Sequence, residues 1–266
     1  MQAATVSRLL DLNHLFYQTF GQAFSATRQR IQSGVRLLLP RLPVQGRWLD
    51  LGCGNGELAR EMAATGFLGE YVGLDFSEEL IEIANETHPH PRPLSLGGRG
   101  EEEGRGEQER RGQFRFVHGD LADPQWAAGF EMASFDCVVA FAVLHHLPGV
   151  ELRLKILRQA RLLLKEDGLL VHSVWQFQHS PRLMARVQPW VRAGLTAADV
   201  EEGDTLLDWR AAMPGQPEQS GLRYVHLFSP AELAHLAEFC GFEVVDTFAS
   251  DGQGGRLGLY QVWRPV

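Results

Sequence analysis

The feature that most constrains the fold of this chain is the decapeptide at residues 47–56. It reads RWLDLGCGNG, a short apolar run that ends in an acid and then opens into glycines at positions 52, 54 and 56. An apolar run of this length bounded by glycine is typical of a buried strand. The glycines allow a sharp turn and a close approach of the backbone to a ligand, in front of the helix that follows. The segment therefore predicts a nucleotide-type ligand at the carboxyl end of a strand.

The order of the remaining patterns favours an α/β fold. Five apolar strand patterns alternate with helical patterns between residues 47 and 175, which predicts a mostly parallel sheet with right-handed crossovers. Two later strand patterns, FEVVDTFAS and RLGLYQVW, flank a glycine-rich turn, so we expect an antiparallel pair at the sheet edge. We assign residues 1–46 to an N-terminal helical segment that caps the substrate site, and residues 47–266 to the main domain.

Two segments interrupt this alternation. Residues 88–112 are dominated by proline, glycine and mixed charge, a composition that cannot bury enough apolar area to offset its ordering entropy. We expect a disordered insertion there. Residues 178–226 are rich in arginine, tryptophan and acids, and we expect an irregular insertion that faces the substrate.

Composition narrows the functional classes. No apolar stretch approaches the ~18–20 residues of a membrane span, and the N-terminus lacks the pattern of a secretory signal, so a cytoplasmic protein without membrane contact is expected. The three cysteines show no CxxC spacing, which predicts buried thiols and neither a disulfide framework nor a metal site. A net charge of −8 disfavours broad nucleic-acid binding. The first 47 residues nevertheless carry six arginines against the single acid Asp11.

The spacing of the glycines and the positions of three acids indicate which ligand binds. A dinucleotide fingerprint would need its third glycine at position 57, which is Glu57, and no P-loop sequence occurs. Asp50 beside the glycine turn suits a ligand with an ammonium group. Asp75 ends the second strand pattern and can accept hydrogen bonds from a ribose diol. Asp120 follows the third strand pattern and can accept one from an exocyclic amine. These chemistries are combined in S-adenosylmethionine.

Five segments strengthen this interpretation: LDLGCGNG, VGLDFSEELIEIA, VHGDLAD, FDCVVAFAVLHHL and LLLKEDGLLV. They resemble the corresponding segments of class I S-adenosylmethionine-dependent methyltransferases. The resemblance implies a seven-stranded Rossmann-like sheet, mostly parallel, with a C-terminal antiparallel pair. It also implies that Asp50 lies near the methionine end, that Asp75 holds the ribose and that Asp120 with Leu121 brackets the adenine. The predicted cofactor-binding set is completed by Gly52, Cys53, Gly54, Asn55, Gly56, Phe76 and Phe141.

A narrower resemblance involves both ends of the chain. FYQTFGQAFSATRQR and GDTLLDWR followed by LRYVHLFSPAEL resemble the Trm9/ALKBH8-type tRNA methyltransferases, which esterify the carboxylate of a carboxymethyl-uridine at the wobble position. The resemblance implies tRNA as the substrate and leaves open a small activating partner protein. We expect Arg28 or Arg223 to clamp the acceptor carboxylate or a nearby phosphate, because a guanidinium binds such groups bidentately.

Other side chains near these motifs are candidates for substrate contacts. Tyr17, Trp209 or Tyr224 could stack on a splayed-out base. His226 could hydrogen-bond the acceptor or satisfy the backbone.

Two alternatives remain open from the sequence. A carboxylate acceptor needs no general base, since it is already ionised at neutral pH. A small-molecule O- or C-methyltransferase acting on a phenol or alcohol would need one, and His146, just past the fourth strand pattern, is then the candidate. The other reading of His146 is structural. A non-catalytic cofactor-binding module is disfavoured by the intact glycine turn and the three acids.

Overall fold

The computed structural model describes residues 1–26, 31–88, 112–211 and 219–266. Seven strands of the described part form one sheet in the order β3-β2-β1-β4-β5-β10-β9. These strands are β1 (Arg47–Leu51), β2 (Glu70–Asp75), β3 (Gln113–His118), β4 (Phe135–Phe141), β5 (Leu164–Trp175), β9 (Phe242–Ser250) and β10 (Gly258–Pro265). The first five are parallel, and β10 runs antiparallel to β5 and β9. The predicted fold class is therefore confirmed.

The described helices are α1 (Ala3–Ala26), α2 (Ser33–Leu38), α3 (Glu57–Ala64), α4 (Glu78–Thr87), α5 (Val150–Leu163), the short α6 (Pro181–Met184) and α7 (Pro230–Phe239). Helices α2, α3 and α4 cover one apolar face of the sheet, and α5 and α7 cover the other. Two of the helix starts follow local sequence signals. The Ser77 hydroxyl accepts a hydrogen bond from the backbone of Leu80, and the Ser229 hydroxyl accepts one from Glu232, as expected for N-caps.

The central strands β1, β2 and β4 are buried because both faces of the sheet are packed. One apolar cluster joins Leu49, Val72 and Val138 to α5 and α7, and a second joins Trp48, Tyr71 and Val139 to α2 and α3. A parallel sheet covered on both faces needs such continuous apolar strands. All three cysteines are buried free thiols, as expected.

The segment 178–226 differs from the sequence prediction. It was expected to be irregular, but it contains a three-stranded antiparallel sheet of β6 (Val187–Gln188), β7 (Asp204–Ala211) and β8 (Gln219–His226). Strand alternation was missed because charged and aromatic side chains occupy both of its faces. Helix α1 packs against β8, so the N-terminal segment and this small sheet lie together over the carboxyl ends of the main strands.

Two predictions fall on residues outside the described part. The insertion at 88–112 is described only at its terminal residues, His88 and Gly112, and Arg28 lies between the described ranges. The disorder of the insertion and the clamping role of Arg28 therefore stay predictions.

Candidate functional site

A cavity of about 730 Å³ opens at the carboxyl ends of β1, β2 and β4 and extends to the three-stranded sheet. Its first part, the glycine end, is formed by the turn after β1 together with Asp50, Asp75 and Asp120. Its opposite part, the arginine end, is formed by Arg182, Arg186, Arg210 and Arg223. A volume of this size accommodates a drug-sized ligand.

The turn after β1 depends on its glycines. Gly52, Gly54 and Gly56 have φ angles of +70°, +55° and +76°, a region that other residues adopt only with strain. A Cβ atom on Gly52 would lie 2.6 Å from the Val143 side chain. The backbone N–H groups of Gly52 and Cys53 donate to the Leu74 carbonyl at 2.7 and 3.1 Å. The turn is thereby fixed against the end of β2, where Asp75 lies.

The carboxylate of Asp75 is tied to this turn. It accepts hydrogen bonds from the backbone N–H of Gly54 at 2.8 Å and of Ser77 at 2.9 Å. Burial raises the pKa of Asp75, and the two backbone donors partly offset that effect. Each carboxylate oxygen keeps a further lone pair, so Asp75 can still accept hydrogen bonds from a diol.

Asp50 is the second buried acid at the glycine end. Burial raises its pKa to about 7, the hydrogen bond from the Tyr71 hydroxyl lowers it, and the nearby Asp75 raises it. A carboxyl in this state gains a full negative charge when a cation arrives. The position therefore suits an ammonium group, as the sequence predicted.

Asp120 and helix α1 form the outer wall of the glycine end. The Asp120 carboxylate accepts a hydrogen bond from the backbone N–H of Ala122 at 2.8 Å, and its other oxygen lies 3.4 Å from His14 Nε2. The His14 ring stacks on Phe76 with a centroid distance of 4.6 Å. His14 was missed by the sequence reasoning. The signal was its place on one helical face with Leu10 and Tyr17, which also line the cavity.

The predicted cofactor residues converge on this cavity with one exception. Those that line it are Asp50, Gly52, Cys53, Gly54, Asn55, Asp75, Phe76, Asp120, Leu121 and Phe141. Gly56 instead begins α3 and packs against Phe116 and Ala84, where an added Cβ would lie 3.1 to 3.2 Å from them.

Tyr17 and His146 meet at the middle of the cavity. The Tyr17 hydroxyl lies 2.9 Å from His146 Nε2, and His146 Nδ1 lies 3.2 Å from the Tyr224 carbonyl oxygen. A carbonyl oxygen only accepts, so Nδ1 carries the proton and Nε2 of a neutral ring accepts from Tyr17. Asn13 joins this group because its side-chain amide bonds the backbone N–H and carbonyl of Tyr224 and the carbonyl of His146.

Arg223 occupies the arginine end from strand β8. Only 3% of it is exposed, and its guanidinium carbon lies 4.5 Å from the Trp175 ring centroid and 5.4 Å from that of Phe16. Trp209 lies nearby and packs against Phe16 and Phe20 at 5.7 and 4.9 Å. The aromatic rings hold one guanidinium in a fixed place, which lowers the entropy lost when it binds an anion.

Tyr224 and His226 do not line the cavity, so the predicted stacking of Tyr224 on a base and the predicted contact of His226 with the acceptor do not fit this structure. Both side chains point to the opposite face of β8 from Arg223. The Tyr224 hydroxyl donates to Asp204 at 2.6 Å, and the two ring nitrogens of His226 bond Asp204 at 2.7 Å and Glu232 at 2.9 Å. His226 therefore bonds side chains and not the backbone.

A buried arginine completes this charged group. Arg153 bonds Glu232 at 2.9 Å and Glu201 at 3.1 Å. Burial opposes protonation of His226, but the bonds to Asp204 and Glu232 prevail and raise its pKa. The tyrosine and histidine of the RYVHLF motif thus fix strand β8, and the arginine of the same motif reaches the cavity.

Comparison with known proteins identifies the family. A model of the methyltransferase domain matches residues 23–247. The chain belongs to the methyltransferase domain family. The methyltransferase is 28% identical to a predicted methyltransferase of Encephalitozoon cuniculi over 236 residues, which cover 88% of both chains.

Two more distant relatives have names that state a substrate. Over 181 residues the methyltransferase is 25% identical to the tRNA (carboxymethyluridine(34)-5-O)-methyltransferase alkbh8 of Xenopus tropicalis, covering 66% of this chain and 22% of the relative. Over 178 residues it is 28% identical to the 27-O-demethylrifamycin SV methyltransferase of Amycolatopsis mediterranei, covering 64% and 53%.

Solved structures share the fold. A SAM-dependent methyltransferase of Methanosarcina mazei superposes with a TM-score of 0.59 at 21% identity, over 89% of this chain and 99% of its own. DhpI in its complex with SAH gives a TM-score of 0.58 at 18% identity, over 100% of this chain and 98% of its own.

S-adenosylmethionine is the cofactor that the sequence of the methyltransferase predicts, and the DhpI structure contains SAH. The glycine end fits this molecule, since Asp75 suits the ribose diol and Asp50 the ammonium group. Within the described residues, no helix combines the length and the apolar character that crossing a membrane requires.

Proposed function

We propose that the protein transfers the methyl group of S-adenosylmethionine to the carboxylate of a carboxymethyl-type modified uridine at the wobble position of tRNA. The observation that carries this proposal is the arginine end of the cavity. Four arginine residues line it, and the guanidinium group of Arg223 lies against the rings of Phe16 and Trp175. A cavity with this lining favours an anionic acceptor, which a guanidinium binds bidentately.

The site supports a transfer without acid or base catalysis. The cofactor supplies a methyl group on a sulfonium, whose departure as a neutral thioether needs no proton. The acceptor carboxylate has an unperturbed pKa of about 4 and is a nucleophile at neutral pH. What remains for the protein is to hold the carboxylate oxygen in line with the methyl carbon and to exclude water. Arg223 would fix the carboxylate, and helix α1 would cover the reacting groups.

Trp209 and Tyr17 would complete the acceptor site. Both line the cavity, where either ring could stack on a base turned out of the anticodon loop. The resemblance of both ends of the chain to Trm9/ALKBH8-type enzymes and the similarity to Xenopus alkbh8 support this substrate.

The direct test is methyl transfer to tRNA that carries the free carboxymethyl group. The protein is incubated with S-adenosylmethionine labelled in the methyl group, and the tRNA is then digested to nucleosides. We expect a labelled methyl ester on the wobble uridine, released as methanol by mild base. Absence of this ester, on tRNA shown to carry the carboxylate, would contradict the proposal.

One observation favours a second candidate, a small-molecule O-methyltransferase. Neutral His146 presents Nε2 to a hydroxyl group, that of Tyr17, at 2.9 Å inside the cavity. The same nitrogen could accept the proton of a phenol or alcohol acceptor. In such an enzyme His146→Asn would abolish transfer. An esterifying enzyme would keep transfer to a carboxylate in the same variant.

A further inference from the structure

Asp208 differs from the other carboxylates of the cavity. It lies on β7, is only 4% exposed and borders the arginine end. Its Oδ2 accepts a hydrogen bond from Arg210 Nε at 2.9 Å. Its Oδ1 is buried, and no donor among the described residues bonds it. A buried carboxylate oxygen without a donor is unfavourable, so a donor on a bound ligand would stabilise this atom.

Asp251 provides the contrast within the same cavity. Its Oδ1 accepts from the backbone N–H of Gly34 at 3.0 Å, and its Oδ2 accepts from the Tyr260 hydroxyl. Both oxygens therefore have protein donors and serve the packing of α2 against β10. Asp208 is the carboxylate at the arginine end that keeps an oxygen for an incoming donor, in the part of the chain that the structure describes.

The arginine end thus combines several donors with one carboxylate oxygen that no donor of the described residues bonds. Arginine side chains only donate, so they match the oxygens of a ligand, while Asp208 Oδ1 matches a single N–H or O–H group. The uracil ring presents such a set on one edge, because its two carbonyl oxygens flank the N3–H group. The carboxymethyl group on C5 adds a further anionic acceptor of hydrogen bonds.

We infer that Asp208 accepts the hydrogen bond of the N3–H group of the acceptor base and thereby selects a uridine. This inference rests on the proposed function, since it names the part of the acceptor that the site reads. A cytosine ring has an unprotonated N3 that would face the carboxylate with a lone pair. With cytosine, both N3 and Asp208 Oδ1 would lack a hydrogen-bond donor. A site that leaves buried polar groups unpaired rejects such a ligand strongly.

The variant Asp208→Asn gives a direct test at nearly constant volume. Arg210 Nε only donates, so it keeps the amide oxygen of the substituted side chain in the orientation now held by Oδ2, and the amide NH₂ replaces Oδ1. That NH₂ group would face the N3–H group donor to donor. We expect kcat/KM for the carboxymethyl-uridine RNA to fall about 10- to 100-fold, the range for a lost hydrogen bond to a charged group.

The matched control is Glu202→Gln, which removes one negative charge from an exposed position of the same insertion. It is expected to keep wild-type kcat/KM. Affinity for S-adenosylmethionine, measured by calorimetry, is expected to be unchanged in both variants and reports that each has folded.

A modified substrate tests the inference without any variant. The probe is an anticodon stem-loop RNA with 5-carboxymethyluridine at the wobble position, compared with the same RNA methylated at N3 of that base. We expect the wild-type protein to prefer the N3–H substrate by about 10- to 100-fold in kcat/KM, and Asp208→Asn to lose most of that preference. If the wild type used both RNAs equally, or if Asp208→Asn kept the full preference, then Asp208 would not recognise the N3–H group. Either result would leave the proposed function in place. No transfer to either RNA by the wild type would overturn both.

Discussion

The two ends of the cavity are built in different ways. At the glycine end, Asp75 is bonded to Gly54 and Ser77, residues within 21 positions of it, and the turn follows directly from the strand before it. At the arginine end, Asn13 bonds the backbone of Tyr224 across 211 positions, and Arg223 lies against Phe16 of helix α1. The glycine turn and Asp75 are therefore held by bonds between residues that are close in sequence, whereas the arginine end forms only after helix α1 has packed against β8.

Substitution of Asn13 is the strongest test of the long-range contacts at the arginine end. In Asn13→Ala, the buried N–H of Tyr224 and the carbonyl of His146 each lose a hydrogen bond. We expect the free energy of unfolding, measured by chemical denaturation, to fall by about 3 kcal/mol. Thr19→Ala is the control on the same helix, because the Thr19 hydroxyl is exposed and bonds only the Leu15 carbonyl. Equal stability of the two variants would show that α1 is not anchored through Asn13.

The glycine end is tested by comparing the stability of alanine variants at two glycines of the turn. Gly52→Ala places a Cβ 2.6 Å from Val143 at a φ of +70°, whereas nothing lies within 4 Å of a Cβ on Gly54, at a φ of +55°. We expect Gly52→Ala to lower the free energy of unfolding by about 2 kcal/mol and Gly54→Ala by about 1 kcal/mol. A larger loss in Gly54→Ala, measured by the same denaturation, would be inconsistent with this geometry.

The pH dependence of cofactor binding tests the role of Asp50. Its pKa is raised to about 7, so the group is ionised above that pH and protonated below it. Affinity for the ammonium-bearing cofactor should fall as the pH drops below 7, by up to about tenfold per pH unit. For the free protein the sign is opposite: the raised pKa makes this group favour folding at acidic pH, and that contribution is lost as the pH rises through about 7.

Calorimetric titration from pH 5 to 8 measures this effect. Tyr71→Phe removes the hydrogen bond that lowers the pKa of Asp50, so its binding curve should move to higher pH. An affinity that is independent of pH would rule out an ionised Asp50 as the partner of the ammonium group.

The smallest effect is expected from the insertion at residues 88–112. Its composition cannot support a core, so replacement of residues 89–111 by a short glycine-serine linker should change neither the melting temperature nor the affinity for the cofactor. A large drop in the melting temperature would show that the segment packs on the domain.

The difference between the two ends of the cavity also explains which parts of the site could be predicted from the sequence. The strand ends, the glycine turn and the N-cap at Ser77 are encoded by neighbouring residues, so their positions follow from pattern and turn chemistry. The hydrogen-bond partners of Tyr224 and His226 could not be predicted from neighbouring residues. Asp204 and Glu232 approach these side chains only through the pairing of β7 with β8 and the packing of α7. A motif can show which residues belong together, but alternation along a strand then decides which of them face the ligand.

The roles of the glycine end and the arginine end can be separated most directly by a substitution at Arg223. Arg223→Ala removes the fixed guanidinium of the arginine end and leaves the glycine end untouched. Calorimetry should give an affinity for S-adenosylmethionine within about twofold of the wild type, while kcat/KM for carboxymethyl-uridine tRNA falls about 100-fold, as for loss of a charged hydrogen-bond partner. Arg264→Ala, at an exposed ion pair of β10, serves as the control. Unchanged methylation by Arg223→Ala would contradict the account.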